Sequence, residues 1–157
     1  MKMLSKKIVN KLIRKKLTIS TAESCTGGLL SSTITSIAGS SKTFDLGLVP
    51  YSNKSKINIL KVSKNTIKKY GSVSKQVCLS MVENVCKLTK SNISLSITGI
   101  AGPSGGTKNK PVGLVYVGIK KDGKIKVKKY LFKNKGRFYI QKAAVNKSLK
   151  LIVAALK

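Results

Sequence analysis

The chain has 157 residues, 41% of them hydrophobic, and 32 Lys and Arg against 4 Asp and Glu give a net charge of +28. That length fits one domain with a real core, and that hydrophobic share excludes a disordered chain. The sequence contains no histidine, which excludes Ser-His-Asp and Cys-His sites and imidazole metal centres; proton transfer near pH 7 falls to Lys, Tyr, Cys, a carboxylate or water.

In chain order, Leu4, Ile8, Leu12 and Ile13 recur at helical spacing and predict an amphipathic helix from Met3 to Lys16. Leu17 to Ala22 reads as a strand, and Glu23 to Gly28 as a turn opening a second helix with Leu29, Leu30, Ile34 and Ile37 on its apolar side. Asp45 to Tyr51 is a second strand that Pro50 confines to an edge or a strand end. Asn53 to Leu60 reads as helical, followed by a short helical turn that Gly71 can terminate. Ser74 can cap a helix running to Leu88, with Val77, Met81, Val85 and Leu88 repeating at helical spacing.

Asn92 to Thr98 alternates Ile93, Leu95 and Ile97 with Ser94, Ser96 and Thr98, a third strand. A Gly/Pro loop leads to a fourth strand, Val112 to Lys120, and Asp122-Gly123 is a hairpin signal that returns Ile125 to Phe132 antiparallel. Gly136 to Leu156 closes the chain as a long helix with Phe138, Val145, Leu149 and Ile152 inward. Helix and strand alternate and a hairpin follows, which gives a layered α/β domain with a mixed sheet over residues 1–157.

Only Arg14 and Arg137 among the basic residues are arginines, and the lysines are spread over almost every segment. This pattern reads as solvated surface charge from compositional drift, with weak, non-specific nucleic-acid binding at low salt. No apolar run is long enough to span a bilayer and the basic N-terminus lacks a signal-peptide core, so the expected location is the cytoplasm. Cys25, Cys78 and Cys86 form no CxxC pattern; Cys78 and Cys86 are expected to pack as small hydrophobes and Cys25 to be partly exposed. No metal cluster and no cofactor is implied.

Three segments carry chemistry. Gly39 to Lys56 brings Ser40, Ser41, Tyr51 and Lys56 into one short stretch, and Ser plus Lys with Tyr assistance is a histidine-free way to activate a nucleophile. Taken singly, each of these residues is unremarkable. Thr21 to Gly28 lies between a strand and a helix, so its hydroxyls and amides could face an anion; its spacing alone favours an ordinary tight connection with a capping Ser or Thr. Glu23 in that turn could orient a ligand hydroxyl or pair with a lysine. Thr98 to Gly106 holds four glycines after a strand, either a backbone surface against a ligand or a flexible connection. It is neither a P-loop nor a dinucleotide fingerprint.

Thr21-Ala-Glu-Ser-Cys-Thr-Gly-Gly28, Ala38-Gly-Ser-Ser41, Tyr51-Ser-Asn53 with Lys56, Gly71-Ser-Val-Ser74, Thr98-Gly-Ile-Ala-Gly-Pro103 with Gly105-Gly106, and Lys110-Pro-Val-Gly113 occur in this order. Together they resemble the C-terminal domain of the CinA family, whose stand-alone PncC-type form is a nicotinamide-nucleotide amidase, and the resemblance covers essentially the whole chain. It implies a three-layer α/β/α sandwich with a mixed, mostly parallel sheet, hydrolysis of nicotinamide mononucleotide to nicotinate mononucleotide and ammonia, and a homodimer. The N-terminal domain of full-length CinA has no counterpart in this sequence, so its pyrophosphatase activity is expected to be absent.

By that resemblance Ser41 is the nucleophile, assisted by Tyr51 and Lys56, and Arg137 meets the substrate phosphate. Glu23, Ser24, Thr26, Gly27, Ser40, Thr98, Gly99, Gly102 and Gly105 are the further substrate-binding candidates. Two positions depart from the family's pattern: Lys135-Gly136-Arg137 where Gly-Asp usually precedes the arginine, and Pro50 before Tyr51. The alternative expectation is a nucleotide- or nucleic-acid-binding protein that kept the fold and lost the activity.

Overall fold

The central strand of the computed structural model, which describes residues 1–157, is β3, Ile93–Gly99, and its two faces meet different layers. Ile93, Leu95 and Ile97 point into one apolar cluster, where burying each aliphatic side chain stabilises by about 1.5–3 kcal/mol. Ser94, Ser96 and Thr98, at most 1% exposed, line the opposite face. Small hydroxyl residues let a helix approach there, and their polar atoms are paired: Ser94 with Ser20 at 2.9 Å, and the Ser96 hydroxyl donating to the Cys78 carbonyl at 2.7 Å. Gly118 completes that surface, since a Cβ there would lie 2.7 Å from Ser96 Oγ.

On either side of β3 stand β1 (Ile19–Glu23) and β2 (Phe44–Leu48), then β4 (Leu114–Lys121) and β5 (Lys124–Leu131), in the order β2-β1-β3-β4-β5. β1 pairs in parallel with β2 and β3, and β4 pairs antiparallel with β3 and β5, so only β4 runs against the rest. Lys124, Lys126, Lys128 and Lys129 stud the edge strand β5, a charge pattern that discourages edge-to-edge pairing.

The helices are α1 (Lys2–Lys15), α2 (Leu29–Thr35), α3 (Asn53–Asn58), α4 (Lys64–Tyr70), α5 (Lys75–Thr89) and α6 (Arg137–Ala155). α1, α2 and α6 cover one face of the sheet; α5 covers the other, with α4 packed against it. The chain is therefore a three-layer α/β/α sandwich, as the resemblance implies. Ser74 caps α5 by accepting from the Val77 N–H at 3.2 Å. One inward assignment fails: Phe138, in the first turn of α6, is 58% exposed and lies under the Lys142 ammonium at 4.2 Å, while Ile140, Val145 and Leu149 of the same helix are buried. No helix is long and apolar enough to cross a membrane.

The parallel strands β1, β2 and β3 end together. Their C-terminal connections, residues 24–28, 49–52 and 100–113, share one end of the sheet, where open α/β sheets place their ligands.

Candidate active site

Ser24 follows β1 directly, and its N–H extends the ladder by donating to the Ile97 carbonyl at 2.9 Å. From the neighbouring strand the chain turns at Pro50 into α3. Ser52 caps that helix in a capping box with Ser55, which fixes its first turn and directs Lys56 inward. Lys56 is only 2% exposed. Its Nζ donates to Ser24 Oγ at 3.0 Å, to the Pro50 carbonyl at 3.0 Å and to the Tyr51 carbonyl at 3.1 Å. All three partners are neutral oxygens. Desolvation, the dominant cause, therefore holds the Lys56 pKa below the ordinary lysine value.

Ser24 and Lys56 open onto a cavity of about 230 Å³. One wall is Thr98, Gly99 and the loop through Gly102, Ser104 and Gly105; another is Ser72 and Val73. Thr98 Oγ1 donates to the Ser72 carbonyl at 2.9 Å and joins those two walls. Gly99 permits close approach of the strands, since a Cβ there would lie 2.8 Å from the Leu114 carbonyl oxygen. Gly102 has φ +79°, a left-handed backbone suited to glycine.

Arg137, the first residue of α6, spans the mouth: Nη1 donates to the Gly102 carbonyl at 2.9 Å and Nη2 to Tyr51 Oη at 2.7 Å. Arg137 and Lys56 are the cationic side chains of a lining that includes no carboxylate. That field favours an anionic ligand. No three metal-ligating side chains converge anywhere in the fold.

Ser41 is not at this site. It is exposed in a single 3₁₀ turn, Ser40–Lys42, at the start of β2, whereas Tyr51 and Lys56 follow that strand's end. Five strand residues at about 3.3 Å each put roughly 16 Å between the two ends. Proximity in sequence misled here, because a strand lies between the residues. Ser40 is buried but turned inward, its hydroxyl donating to the Thr35 carbonyl at 3.2 Å.

Glu23 departs from expectation as well. It is fully buried and accepts from Thr26 Oγ1 (2.7 Å), the Leu30 N–H (2.9 Å), the Ser31 N–H (2.7 Å) and Ser31 Oγ (2.6 Å). The carboxylate thus occupies the start of α2 itself and takes the Leu30 and Ser31 amides away from any ligand. Thr26 is committed to Glu23, and Gly27 lines a separate depression beside Phe138. The Tyr51 phenol accepts from Arg137, and the contact of Lys56 with Tyr51 is to the backbone carbonyl, not to the phenol.

Ser24, Thr98, Gly99, Gly102, Gly105, Arg137, Tyr51 and Lys56 all line the cavity. Cys25, expected to be partly exposed, is 6% exposed, and burial pushes its thiol up to about 12, which leaves it inert beside Ser24. Ser72 and Ser104 line the cavity without any motif that marks them in the sequence, and Ser24, expected only to bind substrate, is the serine that touches Lys56. For Ser24 a signal was present: a serine on a strand-to-helix turn, followed by glycines.

The model of the CinA C-terminal domain matches residues 1–156. Over 142 residues the chain is 47% identical to a Clostridium botulinum protein named for competence-damage induction, covering 90% of this chain and 34% of that protein. It is 52% identical over 122 residues to a CinA-like protein of Kosmotoga olearia, covering 78% and 30%. The chain thus spans about a third of the length of the curated relatives it matches. Among solved structures, the competence/damage inducible protein CihA of Agrobacterium tumefaciens superposes with a TM-score of 0.97 at 37% identity, covering 99% of this chain and 95% of that one. A competence or damage-inducible protein of Enterobacter asburiae gives 0.95 at 33% identity, covering 99% and 98%.

Proposed function

The chain belongs to the CinA C-terminal domain family, and from that premise we propose that it is an amidohydrolase cleaving the carboxamide of nicotinamide mononucleotide, with Ser24 as nucleophile and Lys56 as base. The observation that carries this reading is the environment of Lys56. As a neutral amine it has two N–H groups and one lone pair. The Pro50 and Tyr51 carbonyls can accept the two N–H groups, which leaves the lone pair for the Ser24 hydroxyl. Burial without a carboxylate partner favours that neutral form.

The chemistry follows the serine–lysine pattern. Ser24 Oγ forms a bond to the carboxamide carbon as its proton passes to Lys56 Nζ, and the carbonyl oxygen becomes an oxyanion. Lys56 returns the proton to the amide nitrogen as the C–N bond breaks. Ammonia leaves and the acyl group stays on Ser24. Water then loses a proton to Lys56 and attacks the acyl carbon; Ser24 departs, retakes the proton, and nicotinate mononucleotide is released.

The choice of a mononucleotide rests on the family resemblance and is supported by Arg137. Its guanidinium carries five N–H donors, of which one reaches Gly102 and one Tyr51. The remainder can serve a phosphate at the cavity mouth. Ammonia release by purified protein supplied with nicotinamide mononucleotide is the test. Release that depends on Ser24 and Lys56 supports the reading, and no release above the uncatalysed rate overturns it.

A further inference from the structure

The start of α6 reaches the site twice. Arg137 and Gln141 stand four residues apart, hence on one face of the helix. Arg137 grips the Gly102 and Tyr51 segments. Gln141 Nε2 donates to the Cys25 carbonyl at 2.9 Å, 116 positions away in sequence.

That bond fixes a particular piece of backbone. The Cys25 carbonyl and the Thr26 N–H belong to one peptide plane, so holding the oxygen sets the direction of the hydrogen. The preceding plane is held similarly, because the Ser24 carbonyl accepts from the Gly27 N–H at 3.1 Å. The other ends of both planes, the Cys25 and Thr26 N–H groups, donate to no protein acceptor. Both residues are nearly buried, at 6% and 3% exposure. Buried N–H groups are almost always paired. Two consecutive unpaired ones directly after a serine that touches a buried lysine suit an oxyanion.

We propose that Gln141 is a positioning residue: by holding the Cys25 carbonyl it sets the Cys25 and Thr26 amides as the oxyanion donors of the Ser24 reaction. This rests on Ser24 being the nucleophile. Loss of the Gln141 donor frees the Cys25–Thr26 plane to turn. Donors that act mainly on the transition state then lose their aim, while ground-state binding at Arg137 persists. The signature is a fall in kcat with little change in KM.

The test uses a fluorophosphonate probe, which needs no assumption about the natural amide. Ser24 Oγ bonds to phosphorus, fluoride leaves, and the serine proton passes to Lys56. Wild type, Gln141→Met (near-isosteric, no donor) and Gln141→Glu (same shape, an acceptor facing the carbonyl) are compared by labelling rate at Ser24, kcat and KM for nicotinamide mononucleotide, and Tm. Both variants are expected to label Ser24 and turn over at least about tenfold more slowly than wild type, with KM within about threefold, since direct loss of one oxyanion donor costs about 10²–10³. A folded variant that labels at the wild-type rate overturns the proposal, and so does loss of the fold in both, which makes Gln141 a structural strut. Wild-type protein that leaves Ser24 unlabelled removes the nucleophile itself and the proposal with it.

Discussion

Lys56 Nζ lies 3.0 Å from Ser24 Oγ although 32 positions separate the two residues in sequence. The parallel pairing of β1 with β2 makes the contact, since both strands deliver their C-terminal connections to the same end of the sheet. The lysine arrives on a capped helix and the serine on the tail of a strand, so both are held by regular structure. A lysine at 2% exposure, surrounded by neutral oxygens, is costly to keep charged.

That cost predicts the pH dependence. The lowered pKa makes neutral Lys56 available below pH 10.5, the ordinary value, so activity should rise with pH along a limb centred below it. For stability the sign is the same. The unfolded chain holds this proton more tightly, so stability rises with pH between the lowered folded value and 10.5. Lys56→Met should lack both the limb and the rise, as followed by ammonia release and by denaturant unfolding at several pH values. Lys56→Arg should lose at least about 10²-fold in kcat, because a guanidinium stays protonated.

Tyr51 and Arg137 should separate by kinetic constant. The phenol touches Arg137 and not the base, so Tyr51→Phe removes one exposed hydrogen bond worth about 0.5–1.5 kcal/mol and should stay within about tenfold of wild type. A loss of about 10³-fold would restore the phenol to the proton path. Arg137→Ala should chiefly raise KM, by about 1.5–3 kcal/mol of binding for a charge-assisted contact. Free nicotinamide, which lacks the phosphate, should be a poor substrate, and equal efficiency on both compounds would contradict a phosphate contact.

Glu23 should behave as a structural residue. Glu23→Ala strands the Leu30 and Ser31 amides and two hydroxyls, and should destabilise by at least about 2 kcal/mol. KM in the surviving folded fraction should be unchanged, because the carboxylate does not line the cavity. A large rise in KM with normal stability would return Glu23 to the substrate.

The order of elements was legible from apolar spacing, down to the Asp122-Gly123 hairpin and the Ser74 cap, because these signals are local. The contents of the site were legible only in part. The Gly99–Gly105 loop announced itself by glycine density and Lys56 by its motif. The resemblance put Ser41 ahead of Ser24 as nucleophile, and only the strand pairing shows that Ser24 lies at the end of β2 that bears Lys56. Glu23 looked functional because acids are scarce in this chain, yet scarcity does not say where a carboxylate points. Gln141 left no signal at all, since its partner is a main-chain carbonyl more than a hundred positions away.

The charge excess predicts a separate behaviour. Glu23 is buried, Asp45 accepts from Ser91, and Glu83 and Asp122 pair with Lys87 and Lys121, so most lysines face solvent unopposed. Labelled duplex DNA should bind weakly, without sequence preference, and with an affinity that falls steeply between low and physiological salt. Ammonia release should fall far less across the same range, since a contact within the cavity is screened less than a surface field. Sequence-selective binding that survives physiological salt would contradict this account of the charge.

The central claim is that Ser24, not Ser41, is the nucleophile, and the most direct measurement is ammonia release from nicotinamide mononucleotide by Ser24→Ala and Ser41→Ala proteins side by side, with Tm as the control for folding. Ser24→Ala should lose at least about 10³-fold in kcat with its fold intact, while Ser41→Ala stays near wild type. A folded, active Ser24→Ala protein alongside an inactive Ser41→Ala protein would contradict the account.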